Sequence, residues 1–294
     1  MSEQPRALVG LIGSNLGLSL SPALHEREGR ELGFDYHYEV FDSEVDPQIA
    51  DLPATLRTLR ERGFVGSNIT HPFKQEIMAH LDRVDPVASL VGAVNTMVFD
   101  GDTSVGYNTD WLGFLGSLRN NFSDHDATSV LQVGAGGAGA AVAYALMRFG
   151  VKNLSVVDIS LERATELVSR LAHSVPGCTI TAHPVEDLQA LGEESSGIVN
   201  ATPIGMLAHP GLPFPEELIT PERWVHDVVY MPLVTELVSR ARAVGAPVAG
   251  GGDMVVIQAS EGITLFTGAK ANPQRMMAHF EELVASGAQE ALGK

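Results

Sequence analysis

Gly134, Gly136 and Gly139 follow the apolar run Val130-Leu131-Gln132-Val133 with the spacing Gly-x-Gly-x-x-Gly, which lets backbone N–H groups approach a phosphate closely. Ala135, Gly137 and Ala138 complete the turn with small side chains. The Ala/Leu/Met-rich stretch 140–149 reads as a helix stopped by Gly150, whose N-terminus would favour the pyrophosphate of a dinucleotide. A tight turn serving only helix–strand packing is the competing account. Asp158 closes the next apolar run, Leu154-Ser155-Val156-Val157, about 20 residues beyond the turn. A carboxylate there accepts hydrogen bonds from ribose hydroxyls and repels a 2′-phosphate, so the expected cofactor is NAD rather than NADP. Its alternative role is to cap the next helix. Arg163 sits at a helical position beyond it, where both a solvated side chain and a cofactor contact are open.

The first half of the chain places small polar residues just after strands, where α/β folds build sites. Ser19-Leu20-Ser21-Pro22 puts hydroxyls at a helix start, with free N–H groups able to face a carboxylate; an N-cap alone would account for one serine. Asn68-Ile69-Thr70-His71-Pro72-Phe73-Lys74 ends a strand and opens a helix, placing Lys74 about one turn inside it. Taken singly, Lys74 reads as a solvated helix lysine. Ala93-Val94-Asn95-Thr96 and Tyr107-Asn108-Thr109-Asp110 add amides, hydroxyls and a carboxylate. His25 and His71 are expected to be ordinary hydrogen-bonded histidines, and Cys178 an incidental thiol with nothing beside it to lower its pKa.

These residues must be positioned by an alternation of strands and helices. Strands are expected at 8–12, 36–41, 64–69 and 93–99, the last turning at Asp100-Gly101 into 103–106, and helices at 22–32, 47–62 and 73–80. Thr109 or Asp110 opens a helix to about Asn121, and the polar run 120–125 marks the expected domain boundary. Beyond the glycine turn come a helix to about Ala172 and strands near 179, at 197–200 and at 224–229. Two final helices, 254–266 and 273–285, have no strand partner and are expected to pack back on the first domain, a simple C-terminal appendage being the alternative. The expected architecture is therefore α/β, with a substrate domain over 1–122 completed by 254–294 and a Rossmann-like dinucleotide domain over 123–253.

With 294 residues and 45% hydrophobic composition, the chain can bury a core in each of two domains. Its formal charge of −17 argues against nucleic-acid or anionic-membrane partners, which are held by Lys and Arg. The ten histidines show no metal-ligand spacing, so no metal is expected. The start Met1-Ser2-Glu3-Gln4-Pro5-Arg6 lacks a secretory pattern, and no apolar run is long enough to span a bilayer; the expected location is the cytoplasm. The expected partner is a small-molecule substrate, on a monomer or homodimer.

The polar clusters, taken in order with Gly134 to Gly139, Asn200-Ala201-Thr202-Pro203-Ile204-Gly205-Met206, Asp227-Val228-Val229-Tyr230-Met231-Pro232 and Gln258 with Thr267-Gly268, resemble the shikimate/quinate dehydrogenase family over nearly the whole chain. The resemblance implies hydride exchange between a nicotinamide cofactor and the ring alcohol of shikimate or quinate, with domain closure bringing the two together. It implies Lys74 and Asp110 as the catalytic pair, Ser19, Ser21 and Tyr230 as ligands of the substrate carboxylate, and Thr70, Asn95 and Gln258 as partners of ring hydroxyls. Thr202 joins the cofactor residues, with Gly252 and Met254 near the nicotinamide; for Met254 and Gln258 a packed helix face is the plain alternative.

Three departures qualify the pattern. NADP-using members of the family typically carry Asn-Arg-Thr where this chain has Asp158-Ile159-Ser160, so the resemblance is closer to the NAD-using quinate/shikimate branch. Ser21 is the residue usual in shikimate-specific members. Glu261-Gly262 is expected to interrupt the helix after Gln258, since an internal glycine costs about 1 kcal/mol. A dehydrogenase of an aminoshikimate-type ring and a non-catalytic dinucleotide sensor are the competing readings, and the intact Lys74 and Asp110 argue against the sensor.

Overall fold

The structure is a computed structural model that describes residues 4–17 and 19–292, with side chains described to residue 287. Met1, Ser2 and Glu3, where the N-terminal reading begins, lie outside the described residues, as do the last two residues of the expected substrate domain. The chain divides into two compact units, Met1–Thr109 with Val256–Lys294, and Asp110–Val255.

In chain order the first unit carries β1 (Arg6–Gly13), α1 (Ser21–Glu31), β2 (Asp35–Asp42), α2 (Leu52–Glu61), β3 (Gly66–Ile69), β4 (Arg83–Val84), α3 (Pro86–Val91), β5 (Thr96–Asp100) and β6 (Thr103–Tyr107). Its sheet has the order β2-β1-β3-β5-β6-β4. β1 pairs in parallel with β2 and β3, while β5 runs antiparallel to β3 and β6. The chain steps from β1 to β2 on one side and returns to β3 on the other, so the segments after β1 and β3 leave the sheet side by side at a topological switch point. Leu8, Ile12, Ile69 and Met97 join Leu52, Leu56 and Leu59 of α2 in one core.

The second unit carries α4 (Asp110–Phe122), β7 (Ser129–Val133), α5 (Gly137–Phe149), β8 (Asn153–Val157), α6 (Leu161–Leu171), β9 (Thr179–His183), α7 (Leu188–Glu194), β10 (Gly197–Asn200), β11 (Trp224–Asp227), α8 (Glu236–Val244) and β12 (Val248–Ala249). Its sheet, in the order β12-β11-β10-β7-β8-β9, is parallel throughout, and β7 and β10 flank its switch point. The central strands β7, β10 and β11 are buried almost throughout, as a parallel sheet covered on both faces requires, whereas the edge strand β9 is partly exposed.

α9 (Gly252–Thr267) contains the second change of unit, and α10 (Pro273–Leu292) belongs to the first. Glu28 of α1 is buried and binds this C-terminal segment, accepting from Arg275 Nε at 2.8 Å, Arg275 Nη2 at 2.6 Å and the Asn272 N–H at 2.7 Å.

The two α/β units have the expected architecture, with local corrections. The first change of unit falls at Thr109/Asp110 rather than after Phe122, because α4 packs Phe114 4.4 Å from the His226 ring and Phe122 4.8 Å from Trp224. The stretch 47–62 is split by Asp51, which accepts the Ala54 N–H and caps α2 after a 3-10 turn at Pro47–Ala50. The stretch 73–80 is turns followed by a 3-10 helix, Glu76–His80, so Lys74 stands in the turn and not inside a helix. Its carbonyl accepts the Val94 N–H at 2.8 Å instead of serving a helical ladder. The last strand expected at 224–229 ends at Asp227, and α5 begins at Gly137, ahead of Ala140. Glu261-Gly262 does not break α9: Val256, Ala259, Ile263 and Phe266 bury one face of it, and that packing outweighs the glycine's cost.

Candidate functional site

In the first unit, α1 starts without a side-chain cap: Leu20 holds the cap position and no acid lies in the first turn. The Ser19 hydroxyl accepts the Ser21 N–H at 3.3 Å, while the Ser21 hydroxyl bonds the buried phenol of Tyr38. That phenol, whose pKa burial raises, donates to Asn68 Oδ1 at 2.8 Å, and Asn68 Nδ2 donates to Thr96 Oγ1 at 3.1 Å. Thr96 Oγ1 donates to Asn95 Oδ1 at 3.1 Å, and the Thr109 N–H donates to the same oxygen at 2.7 Å. Asn95 Nδ2 in turn donates to Thr109 Oγ1 at 3.0 Å, and that hydroxyl reaches Gln258 Oε1 at 3.4 Å.

A continuous path of neutral hydroxyls and amides therefore joins Ser21 to Asn95 and Gln258. Thr70 follows β3, its N–H donating to the Ile12 carbonyl at 2.9 Å and its carbonyl accepting from Phe73 at 2.9 Å. Lys74 lies in the same turn, tied through its carbonyl to the segment that leads into Asn95. His25 is a core residue: it bonds the Tyr36 hydroxyl at 3.1 Å, and burial lowers its pKa to about 3. His71 is exposed, with its carbonyl accepting the Ser14 N–H.

In the second unit the glycine turn connects β7 to α5. Gly134 has φ +107°, and a Cβ on it would lie 2.7 Å from the Ala201 carbonyl oxygen, so only glycine fits. At Gly139 a Cβ would lie 2.4 Å from the Gly134 oxygen, which is the close packing expected of the third glycine. Gln132 braces the turn from beneath, its Nε2 donating to Gly134 O and Gly139 O at 2.8 Å each. Gly136 caps α5 with no side-chain acceptor, and Cβ atoms on Gly136 or Gly137 would meet nothing. A helix N-terminus with an open approach and uncapped N–H groups fits a dinucleotide pyrophosphate. Ala135 and Ala138 lie in the same turn and first helical stretch.

Asp158 is buried at the end of β8 and faces this turn. Its Oδ2 accepts the Ala135 N–H at 2.7 Å, its Oδ1 accepts the Ser160 N–H at 2.9 Å, and Arg163 Nη1 stands 3.5 Å away. It does not cap α6, since Ser160 does, accepting the Arg163 N–H. A carboxylate has about four lone-pair sites, so two backbone donors leave room for ribose hydroxyls.

Thr202 follows β10, donating from its N–H and hydroxyl to Asn200 Oδ1 at 2.9 and 2.7 Å. Tyr230 is 38% exposed in the loop after β11, Gly252 opens α9, and Met254 is buried on the same helix. Asp110 is the buried first residue of α4; it belongs to the second unit, and Lys74 to the first. Burial raises the Cys178 thiol pKa while Lys152 opposes it, and the net shift disfavours the thiolate. Among the described residues no group of three or more His, Cys, Asp or Glu could hold a metal, and no helix is long and apolar enough to cross a membrane.

Tyr38 was not singled out by sequence reasoning, nor was the bracing role of Gln132. The alternation of Tyr36 and Tyr38 in β2 signals two side chains on one face, but a phenol's partner is set by β3, which is remote in the chain.

A family model described as "Shikimate dehydrogenase substrate binding domain" matches residues 11–97, and one described as "Shikimate / quinate 5-dehydrogenase" matches residues 117–204. The chain is 47% identical over 289 residues to a shikimate dehydrogenase (NADP(+)) of Streptomyces avermitilis, covering 97% of this chain and 98% of that one. It is 42% identical over 279 residues to a quinate/shikimate dehydrogenase (NAD(+)) of Corynebacterium efficiens, covering 94% and 98%. The solved structure of quinate dehydrogenase from Corynebacterium glutamicum in complex with NAD is similar with TM-score 0.89 and 39% identity, covering 95% of this chain and 99% of that one.

Proposed function

Since the chain belongs to the shikimate/quinate dehydrogenase family, we propose that it interconverts shikimate and 3-dehydroshikimate, and also quinate and 3-dehydroquinate, with NAD as the redox partner. The observation that carries the choice of NAD is the Asp158 carboxylate, held 2.7 Å from the Ala135 N–H of the glycine turn. A 2′-phosphate brought to about 4 Å from that charge meets a repulsion of about 4 kcal/mol per unit charge at an effective dielectric near 20. Arg163 offsets part of it, and with the 47% identity to an NADP(+)-dependent shikimate dehydrogenase it stands on the side of NADP.

Bound NAD would supply its nicotinamide as the hydride acceptor, with Gly134 to Gly139, Asp158, Arg163 and Thr202 as contacts of the rest of the dinucleotide and Gly252 and Met254 near the nicotinamide. Lys74 takes the proton of the reacting hydroxyl during oxidation and returns it during reduction, and Asp110 orients the ammonium and hydrogen-bonds the substrate. Ser19, Ser21 and Tyr230 receive the carboxylate, while Thr70, Asn95 and Gln258 receive ring hydroxyls. An enzyme of this kind needs no metal and works on a small molecule in the cytoplasm.

The test is a matrix of steady-state rates, shikimate and quinate against NAD and NADP. Higher kcat/KM with NAD for both acids is expected. Greater efficiency with NADP sinks the cofactor assignment, and NADH binding without turnover of either acid supports the sensor instead.

A further inference from the structure

Asp227 ends β11 with its carboxylate wholly buried, and the donors around it are neutral. Its Oδ1 accepts Asn200 Nδ2 at 2.8 Å and the Val229 N–H at 3.1 Å, and its Oδ2 accepts the Thr235 hydroxyl at 2.6 Å. Burial raises its pKa while these donors lower it.

Two loops close on this one group. The first leaves the sheet at Asp227, runs through Val228, Val229 and Tyr230, and returns at Thr235, whose hydroxyl also accepts the Val238 N–H at 3.2 Å and so caps α8. The second follows β10: Asn200 binds Asp227 with one amide hydrogen and the Ile204 carbonyl with the other, at 2.9 Å, and its Oδ1 takes both donors of Thr202. The donors of Asn200 and the hydroxyl of Thr235 are thereby fully committed, so neither loop can shift without leaving a buried polar group unpaired.

We propose that Asp227 is a positioning residue that acts through Thr235 on Tyr230 and through Asn200 on Thr202, setting the substrate-side and cofactor-side loops of the second unit with one carboxylate. This rests on the reading of Tyr230 and Thr202 as ligands given above. A carboxylate suits the task because it accepts all three donors at once; an asparagine would turn an NH2 toward Thr235 and leave the hydroxyl proton without an acceptor.

The test is a double-mutant cycle of Tyr230→Phe and Thr235→Val, with Thr235→Ser as the variant that keeps the hydroxyl. The readouts are kcat, KM for shikimate, the Kd of NADH by fluorescence titration without turnover, and Tm. Tyr230→Phe is expected to raise KM roughly 10-fold by removing a hydrogen bond to a charged group. Thr235→Val should raise KM roughly 5-fold with a smaller effect on kcat and leave the NADH Kd within about twofold, and the double variant should be no worse than Tyr230→Phe alone. Thr235→Ser should restore KM. Asp227→Asn should weaken both KM and the NADH Kd; the Thr235 arm stands even if that variant does not fold. Multiplying effects in the cycle, or a Thr235→Val protein with lowered Tm and unchanged KM, overturn the proposal alone. An unchanged KM in Tyr230→Phe overturns the ligand reading and the proposal together.

Discussion

The two units solve the same problem, holding side chains at a sheet's switch point, with opposite chemistry. In the first, Ser21, Tyr38, Asn68, Thr96, Asn95, Thr109 and Gln258 form a path of neutral donors and acceptors. In the second, the loops close on buried carboxylates, Asp158 for the glycine turn and Asp227 for the loops of Thr202 and Tyr230. Ring hydroxyls both donate and accept, so amides and hydroxyls complement them without a desolvated charge. A carboxylate accepts several backbone and side-chain donors at once, which suits it to pinning loops. Under the proposed function the first arrangement would recognise ring hydroxyls, while the second holds backbone still.

Lys74, whose carbonyl accepts the Val94 N–H, is the proposed proton carrier, and its removal should have the largest effect. Lys74→Ala is expected to lower kcat by roughly 10²–10⁴-fold if it exchanges the substrate proton. Circular dichroism should match the native protein, because the substitution keeps the Lys74 carbonyl that accepts the Val94 N–H. A kcat within threefold of native would remove Lys74 from that role.

Asp158→Asn tests the other unit more gently. It removes the charge while leaving an oxygen for the Ala135 N–H, so the ratio of kcat/KM for NADP to that for NAD should rise roughly 10²-fold. An unmoved ratio would mean that Asp158 serves the turn's backbone and does not select the cofactor.

The same contrast explains what could be read from the residues alone. The second unit's site is local: Gly134, Gly136, Gly139 and Asp158 lie in one β-α-β stretch, and each glycine's reason is visible in its spacing. The first unit's network is assembled by strand pairing, with Asn68 of β3 placed between Tyr38 of β2 and Thr96 of β5, partners distant in the chain. Family resemblance pointed to Asn95 and Gln258, but nothing in periodicity could show Tyr38 bridging Ser21 and Asn68. The helix expected around Lys74 failed for a related reason, since the Lys74 carbonyl bonds Val94, 20 positions on by number. The domain boundary was misplaced because the polar run 120–125 resembles a linker, whereas the packing of Phe114 and Phe122 assigns α4 to the second unit.

Each unit also buries one neutral histidine, and here the comparison can be measured directly. His25 bonds Tyr36 and His226 bonds the Ser117 hydroxyl at 2.8 Å, and burial lowers the pKa of each to about 3. In the unfolded chain a histidine titrates near 6.5, so below that pH the unfolded state binds protons that the folded state refuses. Stability is unaffected by this term above about pH 6.5 and falls by about 1.4 kcal/mol per pH unit for each histidine as the pH drops toward 3. Both tryptophans, Trp111 and Trp224, belong to the second unit, so tryptophan fluorescence follows that unit's unfolding. His226→Gln keeps a partner for Ser117 but cannot titrate. Between pH 7 and pH 5 its fluorescence-monitored stability should therefore fall by about 2 kcal/mol less than that of the native protein. His25→Gln should leave the fluorescence slope as it is while flattening the slope of a probe placed in the first unit. Equal slopes for native and His226→Gln proteins would mean that His226 gains protons in the folded state, and that the second unit's core opens to water around it.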